Sequence, residues 1–347
     1  MYVCEYLPRL NCVSTVLDFD EDVKSITRIA INNNNLQVES LLVKSSLKLP
    51  VESDELTLTS CKKSGHSLVL SFKLKSYHSH NNFMSLLEVQ PWSCKDLLRT
   101  PKNNLNQNMF RFRCAHCARD VINSHQFNKF SDMPSDLWAE MMDFWHCHKP
   151  VSGKDFTTTK NYNGNLKPSP TSILIGNNYI LVNNEIEVVV HQNTVRCVCG
   201  GRLGEVDENK SLKLFKWNLQ LAFADTVETY SPYLCIYNLL LDKINSQAVR
   251  KVLVHDYIVW IFNIGIDVAL EGIHLVNASK ILYCKKAEQD HRIFDDEIVV
   301  TETGVFEDFI RELDTINQLV PQDSRTLAVK EDSSVMNYKI SYLGLYK

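Results

Sequence analysis

Two pairs of closely spaced cysteines are the residues of this sequence best suited to chemistry. Two residues separate Cys114 from Cys117, and one residue separates Cys197 from Cys199. Four thiolates suit the tetrahedral coordination of zinc, and the glycines that follow Cys199 permit the backbone to fold around an ion. We therefore predict a structural Zn2+ ion with Cys114, Cys117, Cys197 and Cys199 as its ligands.

Three further potential ligands lie between the two pairs, in the segment His146-Cys147-His148. Cys147 or His148 could replace one of the four thiolates, because zinc accepts both sulfur and imidazole ligands. Two other readings of the cysteine pairs remain. They could be buried thiols that pack as small apolar groups. Cys114 and Cys117 could also form a redox-active dithiol, but such a pair normally precedes a helix, and here the following residues are predicted to be extended.

The elements that would position these cysteines are predicted to be mainly strands. Apolar and polar residues alternate from Ser67 to Lys75, from Met109 to Cys114 and from Phe215 to Phe223. A period of two is typical of strands with one buried face. The second of these strands leads directly into Cys114.

Three segments have the three- and four-residue apolar spacing of amphipathic helices. They are residues 134–146, which begin with Pro134, and the segments Tyr233 to Ile244 and Val305 to Leu319. The stretch from Lys149 to Ser172 contains few large apolar residues and is predicted to be a long surface loop.

These patterns predict an α+β fold that is predominantly antiparallel β, with a few helices and a central zinc-stapled region. We expect an N-terminal β-rich domain over residues 1–108. A central zinc-binding region with a helix and a long loop insertion is expected over residues 109–206. A C-terminal α+β domain is expected over residues 207–347.

Composition limits the function classes. A hydrophobic content of 44% supplies enough apolar surface for folded domains. A net charge of -4 gives no overall basic surface, so we expect no direct nucleic-acid partner. No apolar run is long enough to span a membrane, and no secretory signal is expected at the N-terminus. The eleven cysteines are then predicted to be reduced thiols in the cytosol or nucleus.

Three segments carry a resemblance to a known family. They are FRFRCAHC at residues 110–117, DMPSDLWAEMMDFWHCHK at 132–149 and VRCVCGGRLGE at 195–205. In these segments the sequence resembles the HECT-like ubiquitin-conjugating-enzyme-binding family. In that family a Cys-x-x-Cys strand is followed by a Pro-Ser-x-x-Trp helix that ends in a Cys-His pair, and later by a cysteine pair leading into Leu-Gly-Glu.

The resemblance implies binding of a ubiquitin-conjugating enzyme and a ubiquitin ligase-like activity. It also implies a link to the endonuclease and associated factors of pre-mRNA 3′-end cleavage and polyadenylation, with a location in nucleus and cytoplasm. A HECT-type ligase accepts ubiquitin as a thioester on an activated cysteine. Cys147 is the candidate, since His146 or His148 could act as its base, although a helix C-terminus disfavours a thiolate.

The sequence also departs from the pattern of HECT ligases. Their catalytic cysteine lies in a compact motif near the chain end, and Cys284, in the segment Leu-Tyr-Cys-Lys, lacks that context. This departure keeps a second hypothesis open. The chain could be a non-enzymatic binding protein or an assembly chaperone for the cleavage endonuclease complex.

Overall fold

The fold is taken from a computed structural model of the chain. The structure describes residues 1–18, 26–32, 34–40, 44–51, 56–64, 66–75, 91–97, 110–133, 167–223, 226–287, 296–300, 303–331 and 334–346. The predicted helix over residues 134–146, the His146-Cys147-His148 segment and most of the predicted loop that follows lie outside the described residues.

The described residues contain three α-helices and twenty-four strands. The helices are α1 (Cys94–Leu97), α2 (Tyr233–Gln247) and α3 (Thr303–Leu319). The first strands in chain order are β1 (Tyr2–Leu7), β2 (Cys12–Asp18), β3 (Ile26–Asn32), β4 (Asn35–Ser40), β5 (Lys44–Lys48), β6 (Leu56–Ser64), β7 (Ser67–Leu74), β8 (Phe110–Cys114), β9 (Asp120–Asn123), β10 (Lys129–Asp132), β11 (Ser172–Ile175) and β12 (Tyr179–Val182). They are followed by β13 (Val189–His191), β14 (Thr194–Arg196), β15 (Arg202–Val206), β16 (Leu212–Phe215), β17 (Leu219–Phe223), β18 (Thr226–Thr229), β19 (Lys251–Val254), β20 (Tyr257–Leu270), β21 (Ile273–Lys285), β22 (Glu297–Ile298), β23 (Thr326–Glu331) and β24 (Ser334–Tyr346).

The chain forms two compact units. Met1–Val89 and Leu239–Lys347 together make one, which we call the terminal unit, and Gln90–Asn238 makes the other, the central unit. The terminal unit therefore joins the two flanking segments that the sequence prediction treated separately. The predicted three-domain boundaries remain a prediction.

A ten-stranded sheet is the framework of the terminal unit. Its strand order is β23-β24-β21-β20-β1-β2-β7-β6, with β19 and β22 attached beside β20. Within it, β1 pairs with β2 on one side and with β20 on the other, so the start of the chain lies between segments far apart in sequence. All pairings are antiparallel except that of β19 with β22. A separate three-stranded sheet contains β3, β4 and β5.

The two faces of the ten-stranded sheet belong to different apolar clusters. On β1, Val3 packs in the cluster that includes Ile316 of α3. The next residue, Cys4, packs in the cluster that includes Leu36 and Leu47 of the three-stranded sheet. Successive side chains of a strand point to opposite faces. One face is thus covered by α3 and the other by β3–β5.

Helix α3 confirms the predicted amphipathic segment. Its residues Phe309, Leu313 and Ile316 are completely buried, and their spacing of four and three residues places them on one face. Burying each of these side chains contributes roughly 1.5–3 kcal/mol. The predicted helix beginning at Tyr233 is also confirmed, as α2, and extends to Gln247.

The central unit contains two sheets. One has seven strands in the order β10-β11-β12-β16-β15-β14-β13, and the other has four in the order β18-β17-β8-β9. The strand expected to lead into Cys114 is confirmed as β8, which pairs with β17 and β9. The pairing of β10 with β11 is the one parallel contact described in this unit.

The predicted α+β class, dominated by antiparallel strands, is confirmed. Leu68, Leu70, Phe72 and Leu74 lie on one face of β7 and are at most 2% exposed, as the period-two pattern predicted. The stripe from Phe215 to Phe223 differs from the prediction, because a 3-10 turn at Lys216–Asn218 divides it into the end of β16 and all of β17. Among the described residues, no helix has both the length and the hydrophobicity needed to cross a membrane.

Candidate metal centre

The structure brings together the four cysteines of the two pairs. Their sulfur atoms all lie within 4.8 Å of one another. The Sγ atoms of Cys114 and Cys199 are 3.8 Å apart, and those of Cys117 and Cys197 are 3.7 Å apart. In the described part of the chain, this is the one group of cysteine, histidine and carboxylate side chains arranged to hold a metal ion.

The first pair is presented by a tight turn at the end of β8. Cys114 is the last residue of the strand, and its backbone N–H donates to the carbonyl of Arg119 at 2.9 Å, which closes the turn. The N–H of Ala118 donates back to the carbonyl of Cys114 at 2.8 Å. Ala118 has a φ of 58°, which reverses the chain. The turn therefore holds Cys117 close to Cys114.

The second pair lies on the turn between β14 and β15. The N–H of Cys197 donates to the carbonyl of Gly201, and the N–H of Gly200 donates to the carbonyl of Cys197, both at 2.8 Å. Gly200 has a φ of +87°, a conformation that side chains disfavour. A Cβ at Gly201 would lie 3.2 Å from the Cβ of His116 and 3.4 Å from the sulfur of Cys199. The two glycines thus let the turn approach the first pair.

Burial differs between the members of each pair. Cys114 and Cys197 are buried, whereas Cys117 and Cys199 are exposed. Burial raises the pKa of the Cys114 thiol, and it raises the pKa of Cys197 to about 12. A hydrogen bond from the Gly201 N–H lowers the pKa of Cys199 to about 7. A metal ion that bound all four sulfurs as thiolates would therefore displace protons from the buried pair.

The spacing and the donor atoms fit a tetrahedral thiolate site. Zinc–sulfur bonds of about 2.3 Å in tetrahedral geometry place the sulfurs about 3.8 Å apart. The Cys114–Cys199 and Cys117–Cys197 separations, 3.8 Å and 3.7 Å, agree with this value, and the remaining sulfur pairs lie within 4.8 Å. Four sulfur donors select soft or borderline ions over magnesium or calcium. The centre could hold a metal ion of that kind.

The other candidates from the sequence are not part of this cluster in the described residues. Cys147, His146 and His148 lie outside the described residues, so their roles as ligand, nucleophile or base stay predictions. Cys284 lies on β21 and is partly buried.

Sequence reasoning missed one glycine that lets β15, the strand after the second cysteine turn, lie close to β16. Gly204 lies on β15 opposite Leu214 of β16. A Cβ at this position would lie 1.9 Å from the backbone oxygen of Lys213, a separation that no side chain can adopt. A glycine inside a strand pattern is itself a signal of close backbone approach. That signal was present in the Leu-Gly-Glu part of the third segment.

Comparison with known sequences identifies the group to which the chain belongs. A family described as HECT-like Ubiquitin-conjugating enzyme (E2)-binding matches residues 5–332. The chain belongs to this family. The chain is similar to an uncharacterized protein of Saccharomyces cerevisiae, YJR141W. The two sequences are 30% identical, and the alignment covers 99% of this chain and 99% of the relative. No solved structure matches the chain.

The HECT-like E2-binding assignment covers both units and not only the cysteine segments. The match from residue 5 to residue 332 begins in β1 and ends just after β23. It therefore includes most of the ten-stranded sheet, with the exception of β24, together with α3 and the candidate metal centre. The family resemblance drawn from the three central segments is confirmed over nearly the whole chain.

Proposed function

We propose that this chain binds a ubiquitin-conjugating enzyme and takes part in ubiquitin transfer, with a structural zinc ion at Cys114, Cys117, Cys197 and Cys199. The observation that carries the proposal is the match of residues 5–332 to a family described by E2 binding. The convergence of four sulfurs in the central unit supports the zinc ion.

A structural rather than catalytic role follows from the ligand count. Four protein sulfurs complete a tetrahedral shell and leave no position for water or substrate. The ion would connect the turn after β8 with the turn between β14 and β15. Because β8 and β14 belong to different sheets, the ion would fix the two sheets of the central unit to each other.

The ligase activity is proposed with Cys147 as the ubiquitin-accepting thiol. The described cysteines outside the metal centre are Cys4, Cys12, Cys61, Cys94, Cys235 and Cys284. Burial raises the pKa of Cys12, and it raises the pKa of Cys4 and of Cys94 to about 12. A raised pKa reduces the thiolate fraction and hence nucleophilic reactivity at neutral pH. Cys4, Cys12 and Cys94 are therefore poor alternatives to Cys147.

The link to pre-mRNA 3′-end cleavage and polyadenylation rests on the resemblance in the sequence. The same is true of the alternative role as an assembly chaperone for the cleavage endonuclease, and of the location in nucleus and cytoplasm. These stay predictions. Co-purification of the tagged chain with the cleavage endonuclease from cell extract would test the partner.

The proposed function is tested by measuring binding of the purified full chain to each member of a panel of ubiquitin-conjugating enzymes. We expect at least one enzyme to bind, and we expect zinc chelation to weaken that binding because the central unit loses its cross-link. If no enzyme binds the zinc-loaded chain, the proposed function is wrong.

The ligase part has a separate test. The chain is mixed with a ubiquitin-charged conjugating enzyme, and a thioester on the chain is detected by its sensitivity to thiol reductant. Cys147→Ala should abolish this thioester, whereas Cys61→Ala, at an exposed position on β6, should not. If the conjugating enzyme binds but no thioester forms on the chain, transfer through Cys147 is excluded. The chain would then act as an adaptor that binds the enzyme without accepting ubiquitin.

A further inference from the structure

The four sulfurs of the metal centre make two contacts that each join an exposed cysteine to a buried one. The exposed Cys199 is 3.8 Å from the buried Cys114, and the exposed Cys117 is 3.7 Å from the buried Cys197. Each contact runs between the turn after β8 and the turn between β14 and β15. Because the two contacts use every sulfur once, both can become bonds in the same molecule.

Exposure decides which sulfur an oxidant in water reaches first. Peroxides oxidise solvent-accessible thiolates to sulfenic acids, and a second thiol in contact with the sulfenic acid converts it to a disulfide. In each contact the exposed sulfur is placed for the first step and the buried sulfur for the second. Cys61 is also exposed, but it lies opposite Leu70 in the pairing of β6 with β7 and so faces an apolar side chain.

We propose that the four cysteines are a reversible oxidation site, at which a hydroperoxide forms two disulfides, Cys114–Cys199 and Cys117–Cys197. This site goes beyond the proposed function, because neither the conjugating enzyme nor ubiquitin takes part in the oxidation. It also differs from a redox-active dithiol of Cys114 and Cys117 alone, since each of the two disulfides joins one turn to the other.

The oxidation proceeds in two displacement steps. The thiolate of Cys199 attacks one oxygen of hydrogen peroxide, the O–O bond breaks and hydroxide leaves, so that the sulfur becomes a sulfenic acid. The thiolate of Cys114 then attacks this sulfur, the S–O bond breaks, a second hydroxide leaves and the disulfide forms. Two protons convert the two hydroxides to water, and two electrons have passed from the two sulfurs to the peroxide. A second peroxide oxidises Cys117 and Cys197 in the same way.

The two disulfides replace the metal ion as the connection between the two sheets of the central unit. Metal ions bind the thiolate form of cysteine, so after oxidation no sulfur of the centre remains as a ligand. The two turns stay joined, because both disulfides cross from one to the other. A disulfide within either turn would instead leave the turns unconnected. Thiol reductants reverse the reaction by thiol–disulfide exchange, and the centre is then able to bind metal again.

Mass spectrometry of the oxidised full chain tests the pairing between turns. Trypsin cleaves after arginine and therefore yields two peptides, residues 114–119 and 197–202, with one cysteine pair in each. After treatment with hydrogen peroxide and alkylation of the remaining thiols, we expect these peptides to be linked to each other by two disulfides. Two separate peptides, each lighter by two hydrogens, would overturn the proposal. A disulfide to Cys147, or sulfinic acids without disulfides, would also overturn it.

Limiting peroxide identifies which sulfurs pair, without any variant. A chain with one disulfide keeps two cysteines of the centre free for alkylation. We expect the alkylated cysteines to be Cys117 with Cys197 in some molecules and Cys114 with Cys199 in others. Alkylation of Cys114 with Cys197 would mean that the two exposed sulfurs had bonded to each other, and this or any other combination would overturn the pairing.

Metal release and thermal unfolding measure the consequence for the central unit. Zinc should be released as the two disulfides form and should bind again after reduction. The oxidised chain should unfold at a higher temperature than the reduced chain from which a chelator has removed the metal, because the disulfides constrain the unfolded chain. An oxidised chain that unfolds no higher would show that the turns are not held together. Cys61→Ser is the matched control and should give the same linked peptides. A chain purified without zinc contradicts the proposed zinc ion, whereas the linked peptides test the oxidation site in that chain as well.

Discussion

The sulfur atoms of Cys114 and Cys199 lie 3.8 Å apart although 85 positions separate the two residues in the chain. Cys114 ends a strand of the four-stranded sheet, and Cys199 lies on a turn of the seven-stranded sheet. The two sulfurs therefore belong to different sheets. Their separation is close to the sulfur–sulfur spacing of a tetrahedral thiolate site.

Replacing a ligand of the metal centre should remove the metal and destabilise the central unit. We expect Cys114→Ser and Cys199→Ser each to lose stoichiometric zinc, because three thiolates and a hydroxyl bind it much more weakly. Structural zinc sites contribute on the order of 10 kcal/mol of binding free energy, which is linked to folding. Elemental analysis and thermal unfolding of the purified variants measure both effects.

Cys61→Ser is the control for the loss of a thiol, since Cys61 is exposed on β6 of the terminal unit. It should retain zinc and unfold at the temperature of the unsubstituted chain. Natively purified, unsubstituted protein without metal would directly contradict the proposal of a zinc ion.

The two glycines Gly204 and Gly304 should respond in opposite ways to alanine. A Cβ at Gly204 would lie 1.9 Å from the Lys213 oxygen, so β15 and β16 would have to separate. We expect Gly204→Ala to cost about 3 kcal/mol or more, as backbone displacement in a core does. Nothing lies within 4 Å of a Cβ at Gly304, which is in the first turn of α3. Gly304→Ala should be neutral or stabilise by up to about 1 kcal/mol.

Urea unfolding of both glycine variants measures these changes. The zinc content of Gly204→Ala adds a second reading, because β15 follows directly from the cysteine turn. A variant Gly204→Ala with unchanged stability and full zinc content would show that β15 and β16 do not approach as closely as described.

The identity of individual elements could be predicted from the sequence because it depends on local patterns. The period of two in β7 and the three- and four-residue spacing in α3 are properties of short segments, and both elements formed as expected. Strand pairing depends on distant segments. The pairing of β1 with β20 joins Val3 to Leu270. No short pattern specifies which distant strand pairs with another, since any exposed strand edge offers the same backbone groups.

The same distinction applies to the candidate site. The types and spacing of the four cysteines pointed to a tetrahedral ion because few other chemistries need such pairs. The need for glycine at residue 204 depends on the backbone of β16, which only the folded structure supplies. The exposure of Val189 and Val190 could not be predicted either. Three apolar residues in Glu-Val-Val-Val are typical of a buried strand, and only the sheet topology shows that the seven-stranded sheet ends at β13.

The charged residues Glu5 and Lys280 should show a measurable coupling in the terminal unit. Lys280 Nζ donates to Glu5 Oε1 at 2.8 Å, and the hydroxyl of the buried Tyr342 donates to the same oxygen at 2.5 Å. Removing one partner leaves the other charge poorly solvated. We expect Lys280→Met and Glu5→Gln each to destabilise by about 1–3 kcal/mol.

The double variant of Glu5 and Lys280 should be less destabilised than the sum of the two single variants, because no unpaired charge remains. A double-mutant cycle in urea gives the coupling energy. Additive single changes would mean that the two side chains do not interact in solution. The ion pair of Lys44 and Glu39 is the comparison, because Lys44 is 65% exposed and exposed ion pairs contribute little. The same cycle with Lys44→Met and Glu39→Gln should give a smaller coupling energy.

Lys216 should make the stability of the central unit depend on pH. It is completely buried, its Nζ donates to the Pro91 carbonyl at 2.9 Å, and its Nζ is 5.6 Å from the centroid of the Tyr230 ring. Burial lowers the pKa of Lys216 to about 7, although Asp132, Asp96 and Cys94 act in the opposite direction. In the unfolded chain the pKa of lysine is about 10.4.

Between about pH 7 and pH 10.4 the unfolded chain therefore binds a proton that folded Lys216 does not. The unfolding free energy rises with pH wherever the unfolded state binds more protons. Stability should thus increase by a few kcal/mol across this window and lose this dependence below about pH 7. Lys216→Met removes the titrating group, so the unsubstituted chain should gain stability relative to the variant as pH rises from 7 to 10. Urea unfolding at several pH values measures the difference, and Lys95→Met, at an exposed position of α1, controls for the loss of one charge. If the stability of the unsubstituted chain relative to Lys216→Met stays constant or falls as pH rises, Lys216 keeps its proton in the folded protein.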